Sequence, residues 1–183
     1  MQRDWYVLGV TNLEVAMLLE NLVRGWFEEG KYFGRFVTAM FRGNVEDMEE
    51  YMNGIMLKTM SFFDGEKESE TGTPEKFYHG LVLGLLVDRS GEYDVRSNRE
   101  SGFGRYDVML EPKCISDPAV IMEFKVHNSR RSEKTLEDTV TNALRQIDEK
   151  KYETELLARG IREENILKYG FAFKGRQCLI RKG

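Results

Sequence analysis

Hydrophobic and polar positions alternate with two different periods along this chain, and the change of period divides it. Behind the capping-box pattern Thr11–Glu14, apolar residues from Leu13 to Phe27 recur at helical spacing until Gly30 interrupts them. A second apolar patch, Phe36 to Phe41, precedes Asn44, a residue type that caps helices. Val45, Met48, Met52, Ile55, Met56 and Met60 then fall on one helical side. That methionine stripe suits core filling, because Met adapts its shape to irregular gaps. Residues 61–73, SFFDGEKESETGT, form a polar, glycine-bearing linker.

Past the linker the period shortens. Thr73-Pro74 is a cap followed by Pro at a first helical position, and it opens EKFYHGLVLGLLV as a helix. YDVRSNRE and RYDVMLEP are expected to be two strands joined by SGFG as a hairpin. The loop KCISD leads into residues 119–126, AVIMEFKV, as a third strand. A long helix capped at Thr135 follows, with Leu136, Val140, Ala143, Leu144 and Ile147 on its buried stripe and Gly160 near its end. ILKYGFAFKG and QCLIR close the chain as two strands around Gly175. The expected class is α/β: a mixed sheet flanked by helices, in the order αβββαββ, behind an N-terminal helical segment. Residues 1–70 form that segment and linker, and residues 71–183 form the sheet domain.

Composition narrows the class. With 183 residues, 41% hydrophobic and 32% charged, the chain has the makings of a globular core. No apolar run approaches the roughly 18 residues of a membrane helix, so no membrane partner is expected. Two cysteines, Cys114 and Cys178, are too few for a disulfide framework and fit a cytoplasmic location. The net charge of −4 is uneven. Residues 1–70 carry 7 Lys and Arg against 13 Asp and Glu, whereas residues 71–183 carry 20 against 18. A nucleic-acid partner would therefore be met by local basic patches. The motifs of a phosphate-binding NTPase loop, a dinucleotide fold and a nucleophile elbow are all missing from the sequence.

The candidate chemistry sits in AVIMEFKV. Side chains alternate across a strand, so Ala119, Ile121, Glu123 and Lys125 share one face of an otherwise core-like segment. The triplet Glu-x-Lys alone carries little information, since Glu149-Lys150-Lys151 repeats it on a helix, where it suits a solvated surface. In a core strand, however, a charge costs several kcal/mol unless it is paired or binds a metal. An edge strand whose charges face water is the plain alternative. The preceding strand, GRYDVML, can bring Asp107 beside Glu123, with Lys125 a step further along. Two carboxylates repel without a cation between them, and hard oxygen donors favour Mg²⁺ or Mn²⁺. A nearby ammonium can stabilise charge developing on a phosphate.

GRYD in a strand after a hairpin, fifteen residues, then EFK in the next strand resembles the PD-(D/E)XK nuclease superfamily. EKFYHGLVLGLL, SNRESGFGRYDVML, IMEFKV and ALRQIDEKKY together resemble one bacterial branch of it, the domain-of-unknown-function 1703 group. The resemblance implies a restriction-endonuclease-like core over roughly residues 70–183 and phosphodiester hydrolysis with Mg²⁺ or Mn²⁺. It implies an AAA-ATPase-like domain preceding this region in a longer chain. The implied metal ligands are Asp107, Glu123 and the Phe124 backbone carbonyl; Lys125 is the implied catalytic lysine. Glu75 resembles the auxiliary acid on the helix before the sheet, with His79 on the same helical face, and Gln146 the polar support from the helix after it. Tyr106 stands where the eponymous motif has proline. Arg99, Arg105, Arg130 and Arg131, together with Arg96, are candidate phosphate contacts, because the planar guanidinium fork matches a phosphate. The expected partner is nucleic acid, DNA ahead of RNA, with a homodimer as a further expectation. The alternative is an inactive nucleic-acid-binding or protein-interaction module accompanying an ATPase.

Overall fold

The computed structural model describes residues 33–60, 75–86, 89–128 and 133–183. The helix expected after Thr11, the linker 61–73 and the pair Arg130 and Arg131 lie outside them. Helices α1 (Phe33–Arg42), α2 (Val45–Met60) and α3 (Glu75–Leu86) precede the sheet. Strands β1 (Tyr93–Ser97), β2 (Glu100–Ser101), β3 (Gly104–Arg105), β4 (Val108–Pro112) and β5 (Ala119–Val126) come next. Helices α4 (Leu136–Lys150) and α5 (Thr154–Ala158) then lead to β6 (Ile166–Lys174) and β7 (Gln177–Lys182). The main sheet has the order β1-β4-β5-β6-β7, with β5 and β6 parallel and the other pairs antiparallel.

Strand alternation sorts β5 between two different environments. Val120, Met122 and Phe124 face one side, together with Tyr169, Phe171 and Phe173 from β6 and Ile180 from β7. Helices α1, α2 and α3 cover this side, and Met40, Met48, Met52 and Met56 are fully buried in the same cluster. Met48, Met52 and Met56 of the methionine stripe are core; the Met60 side chain lies outside the described set. Asn44 caps α2 as expected, its Oδ1 accepting from the Asp47 N–H at 3.1 Å. Two side chains of α2 also close the exposed edge of β7. Asn53 exchanges hydrogen bonds with the Cys178 backbone at 2.8 and 3.0 Å, and Glu49 Oε1 accepts from the Ile180 N–H at 2.8 Å.

The opposite side is covered by α4. The Thr135 capping box is present, with the Thr135 side chain accepting from the Asp138 N–H and the Asp138 carboxylate accepting from the Thr135 N–H. Val140, Ala143 and Ile147 are buried as expected, while Leu136 and Leu144 are only partly so. The helix comes close because β6 carries Gly170 beneath it. A Cβ on Gly170 would meet the Val140 carbonyl oxygen at 2.9 Å and the Ala143 Cβ at 3.2 Å.

Two expectations need correction. The strand–turn–strand hairpin is bent: Asn98 takes a left-handed conformation (φ 52°), and β2 and β3 form a small sheet of their own. The pairing register nevertheless runs on across the bend. Tyr93 pairs with Pro112 and Glu100 with Arg105, with the Asn98 N–H bonded to the Asp107 carbonyl at 3.0 Å between them. The long helix also stops before Gly160. Lys151 adopts a left-handed cap (φ 51°), which lets Tyr152 turn inward and become buried, and α5 is a separate short helix ahead of Gly160.

Gly170→Val should weaken folding by about 1–3 kcal/mol, because the contact it meets is helix backbone that cannot rotate away. Urea unfolding measures this, and unchanged stability would mean that α4 has room to move.

Candidate metal and phosphodiester site

The site is a fork in the sheet. The β4–β5 pairing ends at Val108 opposite Met122. One step further places Asp107 opposite Glu123, so their side chains start from the same face. There β4 leaves the ladder. The Phe124 N–H turns to the Asp107 side chain instead, donating to Oδ2 at 2.7 Å. This hydrogen bond holds the Asp107 carboxylate over β5.

Glu123 is 4% exposed, and Gln146 and Lys125 gather around it. Gln146 Nε2 on α4 donates to Glu123 Oε1, and the Lys125 ammonium lies 3.7 Å from the same oxygen. Lys125 also donates to Gln146 Oε1 at 2.7 Å. The amide of Gln146 is thereby oriented by charge: its carbonyl faces the ammonium and its NH₂ the carboxylate. That NH₂ also donates to the Tyr152 hydroxyl at 2.9 Å, and Tyr152 in turn donates to the Arg105 carbonyl at 2.6 Å. Burial pushes the Tyr152 phenol above its ordinary pKa. The hydrogen bond from Gln146 opposes that shift, while the charges of Glu123 and Asp107 add to it. One chain of contacts therefore runs from Lys125 through Gln146 and Tyr152 to the strand that delivers Asp107.

The structure brings Asp107, Glu123, Lys125 and Gln146 together. Glu75 is the first residue of α3, and its side chain lies outside the described set. His79 sits on the other face, its Nε2 2.7 Å from Ser97 Oγ and its ring against Phe124, a hydrogen-bonded boundary position. Arg99 and Arg105 are exposed on the small hairpin. Arg96 departs from the phosphate-contact expectation: it pairs with Glu111 at 2.8 Å and with Glu155, and Arg159 pairs with Glu111 as well. Glu111 is 2% exposed, and its buried charge requires those cations.

Tyr152 escaped the sequence reading. The signal was an aromatic residue directly after the Lys-Lys end of a helix. A second missed cluster lies past β5. There Glu133 accepts from Thr139 and Asn142 at 3.0 Å each, and His127 Nδ1 is 3.0 Å from Thr139 Oγ1. Burial acts to raise the Glu133 pKa, but the Asn142 and Thr139 hydrogen bonds outweigh it and hold the carboxyl below its ordinary range.

Among the described residues no group of three His, Cys, Asp or Glu side chains converges. A cation at the fork would therefore rest on two carboxylates, a backbone carbonyl and water. That all-oxygen set fits a hard divalent ion and does not fit zinc. No helix among the described residues is long and apolar enough to cross a membrane.

A five-stranded mixed sheet flanked by helices, with two acids and a lysine at a strand fork, defines a restriction-endonuclease-like α/β domain. The family model described as the PD-(D/E)XK nuclease superfamily matches residues 73–183, and the chain belongs to that superfamily. The search of curated proteins returned no match.

Tyr152→Phe removes the hydroxyl that joins Gln146 to the Arg105 carbonyl. Chemical denaturation should show a loss of about 1–3 kcal/mol, the range expected when buried polar partners are stranded. A variant as stable as the parent would show that water replaces the hydroxyl at no cost.

Proposed function

We propose that the chain hydrolyses nucleic-acid phosphodiester bonds with the help of a divalent cation, Mg²⁺ or Mn²⁺. The observation that carries this reading is the registration of Asp107 with Glu123 at the fork, with Lys125 on the same face. Asp107, Glu123 and the Phe124 carbonyl are the groups that would hold the ion. When bound, the ion supplies the positive charge that relieves carboxylate repulsion and polarises both the phosphate and an attacking water.

The chain's own residues do the remaining work. Lys125 is half-buried and anchored by Gln146, so its ammonium presents a fixed charge to a phosphate oxygen as negative charge grows there. Gln146 is a positioning residue, because its amide sets the separation of Lys125 from Glu123. The exposed Arg99 and Arg105 lie on the hairpin that leads into Asp107, where they can meet the substrate backbone; Arg130 and Arg131 are assigned the same role from sequence. The preference for DNA over RNA, an ATPase-like domain in the longer protein and a homodimer belong to the same proposal.

Calorimetric titration of Mn²⁺ should show affinity falling roughly a hundredfold or more in Asp107→Ala, at or beyond the upper end of what is lost with an outer-sphere partner. Equal affinities would remove the metal site. Lys125→Ala should retain Mn²⁺ binding and lose roughly a hundredfold or more in the rate of plasmid nicking. Nicking at the parental rate would take Lys125 out of the mechanism. Salt-dependent binding without cleavage under any divalent ion would instead indicate an inactive binding module.

A further inference from the structure

Among the described residues Phe103 is the most exposed large apolar side chain. It sits at the tip of the β2–β3 hairpin with 74% of its surface exposed. The backbone beneath it is clamped. The Phe103 N–H donates to the Lys150 carbonyl at 2.7 Å, and the Ser101 hydroxyl donates to the Tyr152 carbonyl at 2.8 Å. Gly102 (φ +60°) lies so close to the end of α4 that a Cβ there would collide with the Lys150 and Lys151 carbonyl oxygens. The chain thus gives up a side chain at residue 102 to press the hairpin onto the helix, while the next residue carries an exposed ring.

The surroundings of the ring are cationic. Lys151 Nζ lies 5.9 Å from its centroid, and the Lys150 side chain packs along Gly104. Both lysines are exposed, and among the described residues neither forms an ion pair. The neighbouring acids are engaged elsewhere: Glu149 lies 3.7 Å from Arg145, and Lys168 takes both Asp148 and Glu153. Within the hairpin, Glu100 stands opposite Arg105. The hairpin also shares Tyr152 with the fork, through Ser101 on one strand and Arg105 on the other.

We infer that Phe103 is a stacking platform for an unpaired nucleobase, with Lys150 and Lys151 holding the adjoining phosphates. The substrate strand would then reach the fork single-stranded or frayed. A flat exposed ring fixed beside two ammonium groups that form no ion pair among the described residues matches the alternating base and phosphate of such a strand, whereas a duplex hides its base faces. This assignment rests on the nucleic-acid reading given above and narrows its substrate class.

The test uses a fluorescein-labelled oligothymidylate of about twelve nucleotides and its duplex with the complementary strand, both read by anisotropy in EDTA. Phe103→Ala should bind the single strand roughly tenfold or more weakly, change duplex binding by less than about threefold, and leave thermal unfolding unmoved. Phe103→Trp should restore binding. The double change Lys150→Gln and Lys151→Gln should lower the salt slope by about one per lysine. Several results would overturn the inference: parental affinity in Phe103→Ala, equal losses on both probes, a parent that binds neither probe, or an effect confined to self-association in sedimentation. Nicking by the same parental preparation in Mn²⁺ is scored separately. A protein that nicks without discriminating the probes loses only the stacking platform; one that stacks without nicking keeps the platform and loses the hydrolytic reading.

Discussion

Glu123 imposes the main constraint on this fold. A carboxylate at 4% exposure costs several kcal/mol unless hydrogen bonds and opposite charge replace its water. The same strand face begins with Ala119 and Ile121 in an apolar cluster and changes to Glu123 and Lys125 halfway along. Compensation comes from the Gln146 amide together with the Lys125 ammonium. Gln146 can reach Glu123 only because α4 lies close to β6, and α4 lies close because Gly170, the parallel partner of Glu123, has no side chain in the way. A backbone position on one strand thus decides whether an acid on the next can be buried as an acid.

Further features follow from that helix placement. Gln146 needs a second acceptor for its NH₂, and Tyr152 provides it by turning in at the left-handed Lys151. The turn leaves the carbonyls of Lys150 and Tyr152 at the helix end open to the β2–β3 hairpin, which donates to both. The larger aromatic and methionine core and the proposed site lie on different sides of the sheet. The side covered by α1, α2 and α3 holds aromatic stacking, such as Tyr78 on Phe173 at 4.1 Å, and buried methionines, so its packing specifies the fold through apolar contacts.

How much of this was legible depends on the range of the interaction. The alternation in AVIMEFKV, the Asn44 and Thr135 caps and the methionine stripe are local patterns, and the structure contains them. The convergence of Asp107 with Glu123 was legible as a possibility, since two adjacent strands allow it, but register was needed to realise it. Two breaks were hidden because each uses a left-handed residue that is not glycine. Asn98 bends the hairpin in a conformation that Asn adopts more readily than most residues, whereas Lys151 ends α4 without such a preference, its turn held by the docking of Tyr152. Arg96 shows the same limit. It looks like Arg99 in sequence, yet it faces a buried acid fifteen residues further on, and only the β1–β4 pairing reveals that.

The fork itself explains why the proposed site sits where it does. An antiparallel pair sets the start of β4 beside the end of β5, and β5 outlasts its partner, continuing on β6 alone through Glu123, Phe124, Lys125 and Val126. Where β4 departs, backbone groups of β5 on that side lose their ladder partners, which is costly in a buried strand. The Asp107 carboxylate answers the Phe124 N–H at that point and so brings a negative charge to the rim of the opening. The acid therefore repairs the end of a ladder and, by the same placement, stands opposite Glu123. Structural repair and the capacity to share an ion come from one hydrogen bond, so a substitution at Asp107 disturbs both at once. The Lys125 side chain, tied to Gln146 and 3.7 Å from Glu123, belongs to the proposed chemistry without repairing the β4–β5 ladder.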